Sequence, residues 1–304
     1  MQQKSETDEI NAEQQENCDY NIYRLSGYKF IKPLAFAEKN CESKNFAPIK
    51  ATLTDAINNF KANNNLVEAS VYIKDFTSGE WTSVNDNVTY NPGSLIKVPI
   101  LMTYLRMEEL RPGTLEQQFS FTAIDMKMPT QHFPTKEIQS GKNYSIKELL
   151  RSMIINSDNN ATFVLNQHLD LPLFKKVFTD IGLPMPDEHS STYPITARQY
   201  SQFFKVLFNA GYLTIANSEY ATGLLSESEF NDGLLKGIPE KTSVAHKYGE
   251  SGTDEMHELH DGGIIYIGNK PYLITVMTKG PDLKKLSEVI GEISKIVYQN
   301  MKNN

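Results

Sequence analysis

The segment Thr89–Ile100, "TYNPGSLIKVPI", places a serine and a lysine three residues apart at the start of an apolar run. We predict that a helix begins between Pro92 and Ser94, directly behind the Pro-Gly pair. Residues one helical turn apart share a face, so the Lys97 amine would reach the Ser94 hydroxyl. Pro99 lacks a backbone N–H, which predicts an irregular first turn.

Ser94 and Lys97 are a candidate nucleophile and its base. A serine hydroxyl is a poor nucleophile until a base takes its proton. Lysine can do so only as the free amine, which requires its pKa to fall by roughly 3 units, a cost of about 4 kcal/mol, through burial and nearby positive charge. The helix start would also direct the amide of Ser94 toward an oxyanion on its own acyl group. Chance alone would produce Ser-x-x-Lys about once in such a chain, so an incidental serine and an exposed lysine are the alternative.

Two other short motifs follow along the chain. Residues 157–159 read Ser-Asp-Asn, and residues 247–249 read Lys-Tyr-Gly. Each has a plainer interpretation by itself, since the first could cap the helix predicted for "NATFVLNQHL" and the second could be a turn. Their joint occurrence, in this order after Ser-x-x-Lys, favours a catalytic interpretation.

The three motifs resemble the signature of the penicillin-recognising serine enzymes, in which Ser-x-x-Lys precedes Ser-Asp-Asn and Lys-Thr-Gly. The resemblance is strongest to the class A β-lactamase-like serine hydrolases and covers roughly residues 51–301. It implies an α/β protein of the β-lactamase/transpeptidase-like fold, with an antiparallel sheet, flanking helices and an inserted all-helical domain. It also implies that Ser94 is the acylated nucleophile and that Lys97 accepts its proton.

The same resemblance implies roles for other motif residues. Ser157 would relay a proton toward the leaving amine, and Lys247 would anchor a substrate carboxylate and help keep the base neutral. Asn159 would hold a substrate amide through its donor and acceptor groups. The backbone N–H of Glu250, which follows Gly249, would be the second oxyanion donor. This chemistry requires no metal or cofactor, so we expect none.

The chain departs from the class A pattern in two places. The Glu-x-x-Leu-Asn motif, whose Glu activates the water that releases the acyl group, is absent, and the loop before "STYPITARQYSQFF" is about fifteen residues short. Asp187 and Glu188 are the nearest acidic residues, and neither aligns with the motif. Losing a general base costs roughly 10² to 10⁴ in rate, so acylation would persist while hydrolysis slowed. Tyr248 replaces the family's Thr beside Gly249, which would place a phenol at the edge of the substrate cleft.

Hydrophobic patterning joins the two chain ends in one α/β domain. Residues 48–62 have helical spacing, and residues 67–90 read as a hairpin. Residues 261–280 repeat the hairpin pattern before an amphipathic helix at 282–301, whereas the middle of the chain is mostly helical. We predict a partly disordered leader at 1–47, an α/β domain from 48–90 and 231–304, and an inserted helical domain at 91–230.

Composition excludes several classes of partner. The 304 residues carry a formal charge of −7, which argues against non-specific binding to nucleic acid or to an anionic membrane. No apolar stretch is long enough for an integral membrane span, and no signal-peptide core is visible. Residues 1–17 are polar and predicted to be disordered. Cys18 and Cys41 could form one disulfide in an exported protein or stay as free thiols.

The resemblance supplies the expected partner and location. The ligand would be a small-molecule β-lactam or a cell-wall peptide, and we expect the protein to act as a monomer. Because such ligands are met outside the cytoplasmic membrane, an extracytoplasmic protein is implied, whether secreted, periplasmic or surface-associated.

The histidines give only a weak metal signal. Residues 257–260 read His-Glu-Leu-His, which is one residue shorter than the H-E-x-x-H pattern of zinc proteases. We expect no metal and place His257 and His260 in solvent or at the cleft edge. His246 should point away from the side on which Lys247 acts, because side chains alternate along a strand.

Three functions remain open. The first is β-lactamase-like hydrolysis through an acyl-enzyme at Ser94, slowed by the missing Glu. The second is a penicillin-binding D,D-peptidase or transpeptidase acting on peptidoglycan stem peptides. The third is a non-catalytic wall-peptide binding module, for which Ser94→Ala would leave ligand affinity unchanged, whereas both enzymes would lose covalent labelling.

Overall fold

The structure is a computed structural model that describes residues 18–123, 131–133, 136–187, 193–253 and 255–303. The segment predicted to be disordered, residues 1–17, lies outside the described residues. The helices are α1 (Ala47–Ala62), α2 (Lys97–Leu110), α3 (Ile146–Ile155), α4 (Asn159–Gln167), α5 (Leu171–Asp180), α6 (Ala197–Phe208), α7 (Ile215–Ser226) and α8 (Leu283–Asn303). The strands are β1 (Tyr20–Arg24), β2 (Leu34–Lys39), β3 (Glu68–Asp75), β4 (Trp81–Val84), β5 (Gln118–Phe121), β6 (Lys142–Ser145), β7 (Ser243–Thr253), β8 (Met256–Ile267) and β9 (Lys270–Gly280). Within the described ranges, no helix is long and apolar enough to cross a membrane.

A five-stranded antiparallel sheet, in the order β4-β3-β9-β8-β7, is built from both ends of the chain. β3 and β4 form the first predicted hairpin, and β8 and β9 form the second. β3 pairs with β9 along its whole length, from Glu68 opposite Lys279 to Asp75 opposite Tyr272, which joins the two hairpins. β7 lies at the edge of the sheet, so the Lys-Tyr-Gly motif that it carries is at an open edge.

Two hydrophobic cores cover the two faces of the sheet. One face packs against α1 and α8, where Leu53 and Leu286 are fully buried. The other packs against the helices between β4 and β7, represented by Leu101, and a short hairpin of β5 and β6 interrupts these helices. Because side chains alternate along a strand, β7 contributes Val244 to the first core and Ala245 to the second. The predicted fold, an antiparallel sheet with flanking helices and a helical insertion, is confirmed, and its domain boundaries stay a prediction.

Residues 18–47 belong to the fold rather than to a leader. β1 and β2 pair antiparallel, and a disulfide joins Cys18 to Cys41 at the base of this hairpin. The buried carboxylate of Glu38 lies 2.8 Å from Lys205 Nζ on α6. These residues, expected to be part of a leader, instead contain a hairpin that a disulfide, an ion pair with a distant helix and buried side chains such as Phe36 attach to the fold.

Candidate active site

The segment that carries Ser94 begins as a 3₁₀ turn, Gly93–Ile96, and becomes an α-helix only at Lys97. The helical segment therefore begins between Pro92 and Ser94 as predicted, with a first turn that is 3₁₀ and not α-helical. The irregular first turn is present as predicted, and it follows from Pro99, which has no N–H to donate to the preceding turn.

Two glycines let strand β7 pass directly against this turn. Gly93 has a φ of +50°, in the left-handed region that favours glycine, and a Cβ there would overlap the carbonyl oxygen of Glu250. On the opposite side, a Cβ on Gly249 would overlap the carbonyl oxygen of Pro92. The close approach puts the backbones of Ser94 and Glu250 in the same wall of a cavity.

Lys97 is 2% exposed and hydrogen-bonds to neutral oxygens. Its Nζ donates to the Ser157 carbonyl oxygen at 2.6 Å, to Ser157 Oγ at 3.1 Å and to Asn159 Oδ1 at 2.8 Å. Burial lowers the pKa of Lys97 to about 7, although the charges of Asp158 and Glu250 act in the opposite direction. A large fraction of this lysine is therefore the free amine near neutral pH, which is the form that a base requires.

The hydroxyl of Ser157 lies between two amines. Its Oγ is 3.1 Å from Lys97 Nζ and 2.9 Å from Lys247 Nζ. Lys247 is fully buried and also donates to the carbonyl oxygen of Tyr248 at 2.9 Å. Burial, together with the charge of Lys97, lowers the pKa of Lys247 well below its ordinary value. A hydroxyl shared by two such amines can pass a proton in either direction.

Asp158 fixes the two residues beside it. It is the N-cap of α4, where its carboxylate accepts from Asn160 N at 2.8 Å and from Ala161 N at 3.1 Å. The helix-cap interpretation of this motif is therefore correct for Asp158, while Ser157 and Asn159 contact the cleft lysine.

A cavity of about 480 Å³ opens beside these residues. Four of the predicted site residues line it, namely Ser94, Lys97, Asn159 and Glu250. The other lining residues are Gly93, Ile96, Gln131, His132, Thr162, Ser251, Gly252, Thr253 and His257. Lys247, expected to anchor a substrate carboxylate, is fully buried beneath the cavity and reaches it through the hydroxyl of Ser157.

Tyr248 lies behind the cavity and not at its edge as predicted. Its ring is buried, stacks on Phe230 with ring centroids 3.8 Å apart, and belongs to the core formed with α1 and α8. Lys247 Nζ lies 4.2 Å from the centre of the same ring. Burial and the charge of Glu250 raise the pKa of Tyr248 to about 12. The phenol therefore packs against the buried lysine, and its hydroxyl interacts with the side chain of Ser157.

His132 is a cavity residue that no sequence motif marks. Its backbone N–H donates to the Glu250 carboxylate at 3.1 Å, and its ring Nδ1 lies 3.3 Å from the second oxygen. Burial raises the pKa of Glu250, although the hydrogen bonds from His132 act in the opposite direction. Gln131 donates to the Ser157 carbonyl oxygen at 2.9 Å, which holds this segment against the cleft. Glu250 and His132 are 118 positions apart in the chain, so only the fold brings them together.

The other histidines near the motif occupy three different environments. His257 lines the cavity and meets the ring of His132 edge-on, with ring centroids 5.5 Å apart. His260 is fully buried with Nε2 3.0 Å from a backbone carbonyl oxygen, so the expectation of a solvent or cleft-edge position is wrong for it. His246 faces away from the cleft as predicted, with Nδ1 2.9 Å from Asp261 Oδ1. Across the described ranges, no group of three His, Cys, Asp or Glu residues could hold a metal ion.

The loop between α5 and α6, as far as it is described, brings no carboxylate to the cavity. Asp187 is exposed and is absent from the cavity lining, and Glu188 lies outside the described residues. Of the lining residues that the structure describes, Glu250 alone carries a carboxylate. The missing Glu-x-x-Leu-Asn motif therefore has no substitute in the described part of this loop.

Known proteins share both the sequence pattern and the fold. The sequence profile of the beta-lactamase enzyme family matches residues 51–301. Beta-lactamase VEB-1 of Pseudomonas aeruginosa is 25% identical over 257 residues, which cover 76% of this chain and 85% of the relative. TLA-1 extended-spectrum beta-lactamase superimposes with a TM-score of 0.71 at 19% identity, over 83% of this chain and 99% of the other. A PBP-A mutant in an acyl-enzyme complex with penicillin G superimposes with a TM-score of 0.70 at 20% identity, over 84% and 97%.

The matched region contains the central sheet and all three motifs, and the chain belongs to the beta-lactamase enzyme family. The resemblance to class A β-lactamases inferred from the motifs is confirmed, and so is the β-lactamase/transpeptidase-like fold.

Proposed function

We propose that this protein is a serine hydrolase that forms an acyl-enzyme at Ser94 with a β-lactam or a related amide. The observation that carries the proposal is the Ser157 hydroxyl, held 3.1 Å from Lys97 Nζ and 2.9 Å from Lys247 Nζ beside the cavity that Ser94 lines. Buried lysines without a bonded carboxylate cost stability, and such groups with lowered pKa values cluster at functional sites, which supports a role in chemistry.

Each motif residue then has one step in acylation. The neutral amine of Lys97 takes the proton of Ser94, whose Oγ attacks the substrate carbonyl carbon. The backbone N–H groups of Ser94 and Glu250 stabilise the oxyanion, and Asn159 holds the substrate amide. As the C–N bond breaks, Ser157 gives its proton to the leaving nitrogen and is reprotonated by Lys97. The products are an ester on Ser94 and a free amine.

Release of the acyl group would be slow in this site. Hydrolysis needs a base for the attacking water, and a positioned base contributes roughly 10² to 10⁴ in rate. Among the described lining residues the sole carboxylate, Glu250, is already hydrogen-bonded by His132. This favours a second candidate, a penicillin-binding D,D-peptidase or transpeptidase that acts on peptidoglycan stem peptides. PBP-A, which shares the fold, is known as an acyl-enzyme with penicillin G in a mutant form.

Both candidate functions imply an extracytoplasmic location. The Cys18–Cys41 disulfide supports it, because disulfides persist in oxidising compartments. The acidic net charge of −7 argues against nucleic acid as a partner. A monomer without a cofactor suffices for the proposed chemistry.

Intact-protein mass spectrometry after addition of a penicillin tests the proposal. We expect the wild type to gain the mass of the drug and to hold it for minutes or longer, and Ser94→Ala to gain none. Ser226→Ala, which changes a serine at the end of α7, is the control and should be labelled like the wild type.

Two other outcomes would change the conclusion. A brief adduct with rapid consumption of the drug would show an efficient β-lactamase. Binding of penicillin or wall peptide without any adduct, and with equal affinity in Ser94→Ala, would show the non-catalytic binding module and refute the enzyme.

A further inference from the structure

The cavity wall made by Glu250 and His132 has no role in the proposed acylation steps beyond one backbone N–H. The Glu250 side chain is 10% exposed, whereas the His132 side chain is 48% exposed at the cavity mouth. Both described hydrogen-bond donors to this carboxylate come from His132, one from its backbone and one from its ring. The pair is therefore a fixed, charged part of the wall.

The proposed oxyanion contact limits the distance between this charge and the reacting bond. If the Glu250 N–H binds the oxyanion at about 3 Å, covalent geometry keeps its carboxylate within roughly 10 Å of the scissile bond. Ser251, Gly252 and Thr253 line the same cavity. A leaving fragment that lies along β7 is therefore close enough to interact with this carboxylate.

The described lining residues of the cavity offer no permanent cation that could balance an incoming carboxylate. The described lining residues include no arginine, and their single lysine, Lys97, has acceptors for its amine in Ser157 and Asn159. Lys247 is fully buried and donates to Ser157 Oγ and to a backbone carbonyl oxygen. With its carboxylate ionised, Glu250 places a negative charge in this wall.

We propose that Glu250, held by His132, makes this cavity select acyl donors whose leaving group carries an ammonium group, and disfavour those whose leaving group carries a carboxylate. The inference rests on the proposed acylation of Ser94. A carboxylate a few ångström from Glu250 is repelled, while an ammonium group there is attracted and can donate hydrogen bonds to it. Penicillins carry a carboxylate close to the ring amide, so they would acylate Ser94 more slowly than an amide whose amine fragment is cationic.

Two matched thioesters test this selection. Both carry the same N-acylglycyl group, and their leaving thiols are thioglycolate, with a carboxylate, and cysteamine, with an ammonium group. Ser94 Oγ attacks the carbonyl carbon, the C–S bond breaks, the thiol leaves with the serine proton, and the acyl ester remains. Each rate of Ser94 labelling is divided by the rate of the same thioester with hydroxide, which removes differences in intrinsic reactivity.

We expect the wild type to react at least tenfold faster with the cysteamine thioester, and Glu250→Gln to reduce that ratio at least tenfold. Glu109→Gln is the matched control, because the Glu109 side chain is 9% exposed, lies near the end of α2 and accepts from Thr214 N at 2.7 Å outside the cavity lining. Its ratio should equal that of the wild type.

Three results would overturn the selection. A wild type that prefers the thioglycolate ester, or shows no preference, refutes it even if Glu250→Gln fails to fold. An equal ratio in the wild type and Glu250→Gln refutes it while leaving the acylation of Ser94 intact. Absence of labelling by both thioesters and by penicillin refutes the proposed acylation, and this inference with it.

Discussion

The chain buries lysine side chains in two places and gives them different partners. Around Ser157, the amines of Lys97 and Lys247 donate to carbonyl, hydroxyl and amide oxygens, all of them neutral. Beneath the N-terminal hairpin, Lys205 is equally buried, but its Nζ lies 2.8 Å from a carboxylate oxygen of Glu38. The two regions therefore separate the effect of burial from the effect of the partner.

The partner decides which form of the buried lysine is stable. Burial lowers the pKa of Lys205 only to about 8, because the charge of Glu38 opposes the effect. Burial would raise the pKa of Glu38, but the charges and hydrogen bonds of Lys205 and its neighbours outweigh it and lower the pKa to about 2. Without a bonded carboxylate, Lys97 reaches about 7. Burial beside a carboxylate favours the charged form of a lysine, and burial among neutral oxygens favours the free amine.

The largest effect that we expect is on the rate of acylation, and it should follow only from substitution of a lysine beside Ser157. Lys97→Met removes the proposed base, so we expect the rate of Ser94 labelling by penicillin to fall by roughly 10² to 10⁴. Time-resolved mass spectrometry measures this rate, and urea unfolding checks that the variant is folded. Labelling within tenfold of the wild type would contradict the assignment of Lys97 as the base.

The second-largest effect is a loss of stability, and it concerns the ion pair beneath the N-terminal hairpin. Lys205→Met removes the nearest of three cations around the buried Glu38 carboxylate, and because Lys74 and Arg198 remain within 3.5 Å of it, we expect a loss of about 1–3 kcal/mol in the free energy of unfolding. Urea unfolding of Lys97→Met and Lys205→Met compares their free energies of unfolding directly. The interpretation fails if Lys97→Met is the more destabilised of the two, or if Lys205→Met loses labelling while it is still folded.

The smallest effect is a pH dependence. Because Lys97 acts only as the free amine and its pKa is about 7, the acylation rate should fall about tenfold for each pH unit below 7 and level off above it. The rate of labelling measured from pH 5 to 8 gives the midpoint. Lys205→Met should keep the same midpoint, and a flat profile in the wild type would show that no amine of lowered pKa takes part.

Elements formed by neighbours in the chain could be predicted from the sequence. Alternation and helical spacing predicted the hairpin of β3 and β4 and the helix α1, because each depends on contacts between residues that are close in the chain. The resemblance of three motifs predicted that Ser94, Lys97, Ser157 and Lys247 share one site, and the structure places them in or beneath one cavity.

Contacts between distant segments could not be predicted in the same way. Alternation shows that Lys247 and Tyr248 face opposite sides of β7, but it does not show which side meets the cleft. The pairing of Glu250 with His132 joins positions 118 residues apart, and no local pattern marks either residue. The ion pair between Glu38 and Lys205, which anchors the N-terminal hairpin, likewise joins segments that are distant in the chain.

By itself, the sequence determined the family, the order of the motifs and the candidate roles of Ser94 and Lys97. Only the tertiary structure decided which lysines are free of a bonded carboxylate, that the Tyr248 ring packs in the core, and that Glu250 and His132 both line the cavity. The physical reason is that protonation and specificity depend on burial and on the charges nearby. Both are set by segments that meet only when the chain is folded.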